Sequence, residues 1–272
     1  MKKIFIVALI FICTICAGCF QAKFDLIITG DGAVTRNWKI LGTAPFSRQI
    51  EAWKAENEKL FPNLTVKPVA EGDMLGYEFA VNYPDLETFA KSPSKIYSAH
   101  AGKNKGISRH KSWFFDEYAF DFYFESPPAN LPPEAEFITQ AAFNNVVYDM
   151  AIQFPNPVES HNADTVESDG KFLKWNLAPV LIHGGERHMN ARFKIWHKDK
   201  IALTAAIEIL FLATAIFFFI KARAEESESI SKDLRFKRNV FAGLFIALAI
   251  IAAYQSLAPV NFTDADIISL AI

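Results

Sequence analysis

The chain has 272 residues and a formal net charge of −2, so it lacks the excess of basic residues with which proteins bind nucleic acid. Its hydrophobic content of 51% is high for a soluble protein. The apolar excess is concentrated in residues 4–18, 201–220 and 240–260. The chain between the first two of these segments has the composition of an ordinary water-soluble domain.

The first eighteen residues are typical of an export signal. Met1, Lys2 and Lys3 supply positive charge, and the apolar run 4–15 has signal-peptide length but is short for a membrane span. Small residues then precede Cys19, which is the arrangement that a lipoprotein signal peptidase requires. We therefore predict a lipoprotein signal peptide over residues 1–18 and lipidation of Cys19.

Two alternatives to lipidation stay open. The segment is also compatible with a secretory peptide cut after Ala17 or Ala22, or with an uncleaved anchor. All three cysteines lie within the first nineteen residues. Cleavage before Cys19 would leave one cysteine, so neither a disulfide within the chain nor a cysteine-ligated metal site is expected.

Two apolar segments near the C-terminus, residues 201–220 and 240–260, are long enough to cross a membrane as helices. The segment between them, residues 221–239, carries six Lys and Arg residues, and short basic loops stay on the cytoplasmic side. We expect residues 19–200 and the tail 261–272 to lie outside, on the plasma membrane of a bacterium.

Glu208 is the one ionisable residue within either predicted span, and such residues usually face a protein partner. The second span returns through the same layer with Tyr254 and Gln255. We therefore expect a hydrogen bond from Glu208 to Gln255 or Tyr254. Gly243 and Ala247, four residues apart, are expected to let the two helices approach closely.

The exported segment 19–200 contains many short strand patterns separated by turns, with two or three helices among them. This pattern predicts an α+β domain built on an antiparallel sheet. The predicted helices are residues 46–61 and 85–91. The predicted strands are residues 24–29, 34–40, 65–70, 77–83, 113–125, 146–154, 164–166, 172–177, 180–183 and 189–196, the last two forming a hairpin around Gly184 and Gly185.

The segment 113–125 is the most aromatic in the chain. Five of its aromatic residues share one parity and three of its acidic residues share the other, which indicates a strand with one buried face. That face either lines a cavity for an acyl chain or is packed core. The aromatic residues are Phe114, Tyr118, Phe120, Phe122 and Phe124, and the acidic residues are Glu117, Asp121 and Glu125.

The order of several motifs resembles the LppM-like family of bacterial lipoproteins, over residues 19–200. The motifs are Gly30-Asp31-Gly32, Gly76-Tyr77-Glu78-Phe79 followed by a helix, Asn162-Ala163-Asp164, and Asp169-Gly170-Lys171 with Leu173 and Trp175. The resemblance implies an exported α+β domain, an envelope role with lipid binding, and no catalytic residues. The two terminal helices are a departure, since one is usual in that family.

No catalytic or metal-binding motif stands out. His183 and His188 flank Gly184-Gly185, but this is not a helical two-histidine spacing and no third ligand is evident. The sequence has no nucleophile elbow, phosphate-binding loop or dinucleotide fingerprint. We therefore expect neither an enzyme nor a cofactor.

A basic segment that runs into aromatic residues is the best candidate for contact with lipid or the membrane surface. Cations beside aromatic rings suit the headgroup layer of an anionic membrane, whereas the alternative is a solvated loop leading into a core strand. Its candidate contact residues are Lys103, Lys105, Arg109, Lys111 and Trp113.

Two functions are compatible with these features. In one, the exported domain binds or handles a membrane lipid of the cell envelope. In the other, the chain is a non-catalytic adaptor for another envelope protein.

Overall fold

The computed structural model describes residues 20–92, 106–126, 146–257 and 267–268. The strands are β1 (Phe20–Ile28), β2 (Val34–Gly42), β3 (Thr65–Glu71), β4 (Met74–Tyr83), β5 (Gly106–Lys111), β6 (Phe115–Ser126), β7 (Val147–Gln153), β8 (Ser160–His161), β9 (Thr165–Glu167), β10 (Phe172–Asn176), β11 (Gly185–Trp196) and β12 (Ile267–Ile268). The helices are α1 (Ser47–Leu60), α2 (Leu86–Ala90), α3 (Ala178–His183), α4 (Lys198–Ala224) and α5 (Glu228–Leu257), and a 3₁₀ turn (Ala44–Phe46) precedes α1.

The strands form two sheets. The larger has seven strands in the order β3-β4-β2-β1-β7-β10-β9, and the smaller has five in the order β12-β5-β6-β11-β8. The predicted α+β class is confirmed. One pairing departs from an antiparallel sheet, because β7 runs parallel to β1, with Ala22 opposite Tyr148 and Phe24 opposite Met150.

The inner faces of the two sheets share one hydrophobic core. Its centre is aromatic: the Phe193 ring stacks on Tyr118 and Phe120, each at 5.5 Å, and tilts against Phe154 at 4.7 Å. The predicted alternation along β6 is therefore seen on its apolar side. On the other side Glu117 is also buried, at 2% exposure, so that end of the strand is covered on both faces.

The predicted strand over residues 180–183 is wrong, because Ala178–His183 forms helix α3. Pro179 occupies the first turn of the helix, where its missing N–H costs nothing, and the Asn176 side chain accepts the Ala178 N–H at 3.0 Å. Gly184, with φ of 73°, ends the helix. These local signals outweigh the strand preference of the apolar run.

Gly76 has a packing role. A side chain at this position would place Cβ 1.9 Å from the carbonyl oxygen of Ile40 on the neighbouring strand β2. Only glycine permits this close approach of the two backbones.

The described residues divide into two compact units, separated after Arg109 and again near residue 196. The first contains most of both sheets and the hydrophobic core that they share. The second contains His110–Glu117 and the chain from Trp196 through α4 and α5. Within this second unit the backbone N–H of His197 donates to the carbonyl of Phe114 at 2.8 Å, and the Trp196 ring packs edge-on against Phe115 at 5.2 Å.

Helices α4 and α5 are long and apolar enough to cross a membrane by length and composition. Both are largely exposed along their apolar length, as Ile209 at 68% and Ile250 at 63% illustrate. They extend beyond the predicted spans and are joined by residues 225–227 alone. Most of the predicted connecting segment 221–239 is helical, and the i,i+4 pairs Glu228–Lys232 and Asp233–Lys237 stabilise it.

This short connection sets the register of the hairpin. Phe241 packs against Phe211 and Phe218, at 6.2 and 5.8 Å. In the described hairpin no hydrogen bond joins Glu208 to Gln255 or Tyr254, and Tyr254 is 73% exposed.

The expected role of Gly243 and Ala247 is also not seen. Both residues are exposed, and a Cβ added at Gly243 would meet no atom within 4 Å. Other residues make contacts between the helices: the Phe211 and Phe218 rings pack against Phe241, and the Ser231 hydroxyl donates to the Ala222 carbonyl at 3.1 Å.

The Asn162 side chain ties the two sheets together. Its Oδ1 accepts the indole N–H of Trp175 on β10 and the backbone N–H of Asn190 on β11, each at 2.9 Å. Its Nδ2 donates to the His188 carbonyl at 2.8 Å. The Asn162 motif of the sequence is therefore a structural clamp.

Replacing Asn162 with alanine should lower the free energy of unfolding by about 1–3 kcal/mol, because the Trp175 indole N–H loses its acceptor in a partly buried site. Urea unfolding of the full chain, followed by tryptophan fluorescence, measures this change. Asn63→Ala is the matched control, since Asn63 makes a single bond, to the Asn82 carbonyl at 3.5 Å. Equal stability of the two variants would contradict the clamp.

Candidate ligand-binding cavity

A cavity of about 300 Å³ lies between helix α1 and the inner face of strands β1 and β2. This volume is at the lower end of the range for small-molecule sites, about 300–1,000 Å³. Most of its lining is apolar and aromatic. The lining residues are Phe20, Ala22, Phe24, Arg36, Trp38, Ile40, Trp53, Glu56, Asn57, Leu60, Phe61, Phe124 and Tyr148.

The cavity exists because α1 contributes little to the core below it. The helix fully buries one side chain, Ile50, whereas Trp53 and Leu60 are half-buried and face the space. The Phe20 ring fills one end, packing against Trp53 at 5.8 Å and Phe46 at 5.6 Å.

Four polar side chains also line the cavity: Arg36, Glu56, Asn57 and Tyr148. The Arg36 guanidinium, on a residue that is only 4% exposed, lies over the rings of Trp38 at 4.9 Å and Phe61 at 5.3 Å. Glu56 and Asn57 lie on α1, and the Asn57 amide donates to the Trp53 carbonyl at 2.8 Å. An apolar space with a few polar groups suits a molecule with an apolar body and a polar end.

Tyr148 stands at the opposite wall, between Phe24 at 5.4 Å and Phe124 at 5.3 Å. Burial raises the pKa of Tyr148 to about 12. A tyrosine phenol is neutral at physiological pH even at its ordinary pKa, so the Tyr148 hydroxyl can act there as a hydrogen-bond donor.

Phe124 is the only aromatic residue of the β6 face that lines the cavity, among those named in the sequence pattern. Phe120 and Phe122 are each 2% exposed and contact one another at 5.5 Å. The aromatic strand is thus packed core along most of its length, and the cavity adjoins only its end. Sequence reasoning missed the cavity itself, because its walls come from five elements, of which β6 and β7 are distant in the chain from β1, β2 and α1.

A second groove, of about 440 Å³, lies between the start of α1 and the β3–β4 hairpin. Tyr77 donates to Glu51 across it at 2.6 Å, and Leu75 at its edge is 64% exposed. It lacks the aromatic enclosure of the first cavity, so the first is the better ligand site.

Three of the five predicted membrane-contact residues, Arg109, Lys111 and Trp113, lie in the described part of the chain. Lys103, Lys105 and the predicted lipidation site Cys19 lie outside the described residues. Arg109 lies 3.9 Å from Glu87 and 5.7 Å from the centre of the Tyr118 ring. Lys111 is exposed at the end of β5.

Trp113 reaches the start of helix α4. Its indole N–H donates to the Thr204 hydroxyl at 3.3 Å, and the Lys200 ammonium lies 5.2 Å from its ring centre. The ring remains 49% exposed. An exposed tryptophan with a lysine beside an apolar helix is the arrangement found at membrane–water interfaces.

The two histidines that flank the Gly-Gly turn do not form a site. His183 is exposed at the end of α3, whereas His188 stacks on Tyr123 at 4.3 Å and contacts Asp121 at 2.7 Å. In the part of the chain that the structure describes, no group of three His, Cys, Asp or Glu side chains is placed to hold a metal ion.

Comparison with known proteins gives one match. No protein-family model and no curated protein matches the sequence. Among solved structures, the chain is similar to the NMR structure of the folded domain of the LppM protein of Mycobacterium tuberculosis, with 14% identity and a TM-score of 0.38 over 67% of this chain and 93% of that chain. At this level the likeness assigns neither a family nor a ligand, so membership of the LppM-like family stays a prediction.

The raised pKa of Tyr148 has a measurable consequence. Because folding favours the neutral phenol, its contribution to stability is complete below about pH 10, the ordinary pKa, and is lost as the pH rises towards 12. In an alkaline titration, the rise in tyrosinate absorbance up to pH 11 should be the same in Tyr148→Phe as in the wild type, because Tyr148 does not ionise in that range. A variant that lacks one tyrosinate equivalent near pH 10 would show that Tyr148 is accessible to water.

Proposed function

We propose that this chain is a membrane-anchored envelope protein whose extracytoplasmic domain binds a membrane lipid, with the acyl portion in the cavity between α1 and the seven-stranded sheet. The cavity carries the proposal: it combines aromatic walls with a neutral Tyr148 hydroxyl and a nearly buried Arg36 at its lining. Binding rather than catalysis is the role that we propose.

The position of the cavity supports access to lipid. Phe20 is both a wall of the cavity and the residue that follows Cys19 in the chain. Lipidation of Cys19, which we also propose, would attach an acyl anchor one residue from this wall. Membrane lipid would then be the most abundant apolar molecule near the cavity.

The two apolar helices support attachment to a membrane through the C-terminal part of the chain. We propose that α4 and α5 cross the plasma membrane as a hairpin, with the residues around 221–239 on the cytoplasmic side. Trp113, Lys111 and Lys200 would then contact the headgroup layer on the outer side.

The adaptor function is the second candidate. The observation in its favour is the exposed Leu75 at the edge of the second groove, since exposed apolar side chains beside grooves often contact partner proteins. Crosslinking of a protein, rather than lipid, to this groove would favour the adaptor.

A photoactivatable phospholipid with the reactive group on its acyl chain tests lipid binding. In native membranes we expect crosslinks on α1 and β1 of the full chain. Ala22→Phe, which fills the cavity from a residue that is 2% exposed, should reduce them about tenfold, or about 1.4 kcal/mol of binding free energy. Crosslinks on α4 provide the internal reference, because that helix would contact lipid in every variant.

Ala70→Phe is the matched control, since Ala70 lines the second groove and is exposed. If Ala22→Phe fails to fold, Leu60→Trp obstructs the cavity from a half-buried position on α1. Undiminished crosslinking on α1 and β1 in a folded cavity variant would refute lipid binding at this site.

The membrane contact of Trp113 has a separate test. In nanodiscs whose acyl chains are brominated near the headgroup, we expect part of the tryptophan fluorescence of the full chain to be quenched, and Trp113→Phe to reduce the quenched part. The physical reason is that bromine quenches only rings within close contact. Equal quenching in both proteins would place Trp113 away from the bilayer.

A further inference from the structure

Two arginines from different helices meet one aromatic ring at the loop end of the hairpin. The Arg223 guanidinium, from the last turn of α4, lies 5.2 Å from the centre of the Phe219 ring. The Arg238 guanidinium, from α5, lies 5.8 Å from the same centre. The Phe219 ring is itself 41% exposed, and the Lys221 ammonium lies over the neighbouring Phe217 at 5.8 Å.

The charges of these two arginines are not balanced by nearby carboxylates. On the same end of the hairpin, Lys232 pairs with Glu228 at 2.8 Å and Lys237 pairs with Asp233 at 2.7 Å. Within the described hairpin no carboxylate lies within 4.0 Å of Arg223 or Arg238, and the Arg238 guanidinium donates only to the amide oxygen of Asn239. Both guanidinium groups therefore keep their hydrogen-bonding capacity for an anion near the exposed ring.

The level of this cluster along the helix fits the headgroup layer. Lys200 and Lys221 bracket the apolar part of α4, and the helical rise places them roughly 32 Å apart, close to the ~30 Å thickness of a hydrocarbon core. Phe219 lies two residues inside Lys221. The arginines over its ring would therefore extend to the depth of the lipid phosphates, given the membrane hairpin of the proposed function, on which this inference rests.

We propose that Arg223 and Arg238 together bind the phosphate of an anionic phospholipid in the cytoplasmic leaflet, while Phe219 packs against the start of its acyl chains. Guanidinium groups donate paired hydrogen bonds to phosphate oxygens, and basic clusters between membrane helices are suited to anionic headgroups. This site differs from the cavity under α1. It is formed by the helical hairpin, and it would bind the charged headgroup of a lipid rather than an acyl chain.

The test uses the full chain extracted from liposomes of phosphatidylcholine with a minority of phosphatidylglycerol, and measures the ratio of the two lipids that remain bound. We expect enrichment of phosphatidylglycerol with the wild type. The double variant R223Q/R238Q should reduce the enrichment about tenfold. The control K232Q/K237Q also removes two positive charges from this region. Because those lysines are paired with carboxylates, the control should change the enrichment less than twofold.

Equal loss in both double variants would show a general charge effect and overturn the site, as would unchanged enrichment in R223Q/R238Q. Displacement of phosphatidylglycerol by millimolar inorganic phosphate would overturn the assignment to a lipid. Carbonate extraction of each variant separates the two proposals. Loss of the hairpin from the membrane refutes the proposed topology, whereas retention with unchanged lipid selectivity refutes only this site.

Discussion

The parallel pairing of β1 with β7 is the contact on which the rest of the two-sheet domain depends. It joins the N-terminal strands β1–β4 to β7, β9 and β10 within the seven-stranded sheet. A tight hairpin turn cannot connect two parallel strands. The long segment between β1 and β7 must therefore bring its ends together, at a cost in chain entropy, before the two strands can pair. Its register brings Ala22 opposite Tyr148, with Phe24 beside the Tyr148 ring, and these three residues form one wall of the cavity. A slip of one residue would turn that wall to the opposite face of the sheet.

The interior of the domain is therefore packed in two different ways. Around Phe193 the rings stack and tilt at 4.7–5.5 Å, which is close packing. Under α1, by contrast, one fully buried isoleucine and two half-buried residues leave a space that the sheet does not fill. A domain that is close-packed at one end and open at the other can accept an apolar guest without rearranging its core. The same aromatic composition thus forms both the close-packed core and the walls of the cavity.

Local features of the fold could be predicted from the sequence, and distant ones could not. The hairpins at residues 30–32 and 168–171 and the helix ended by Pro62 follow from turn residues and periodicity, which act over a few positions. Helix α3 was missed because its apolar run favours a strand, while Pro179, Asn176 and Gly184 decide for a helix. The parallel pairing and the cavity depend on contacts between residues more than a hundred positions apart, for which one sequence contains no signal. The two apolar helices are longer than predicted for a related reason. The charged residues of the segment 221–239 suggested a loop, but their i,i+4 pairs stabilise helix.

The place of Phe20 in the cavity wall also bears on how tightly this site needs to bind. A domain joined to a membrane through the residue before Phe20 would meet the apolar molecules of that membrane at a local concentration far above any that free diffusion provides, because a short tether converts encounter into an intramolecular event. A small cavity with modest affinity would then be filled most of the time. Such a cavity would also exchange its bound lipid readily. The fraction of time that the cavity is occupied would then depend on the length of the tether more than on the contacts within the cavity.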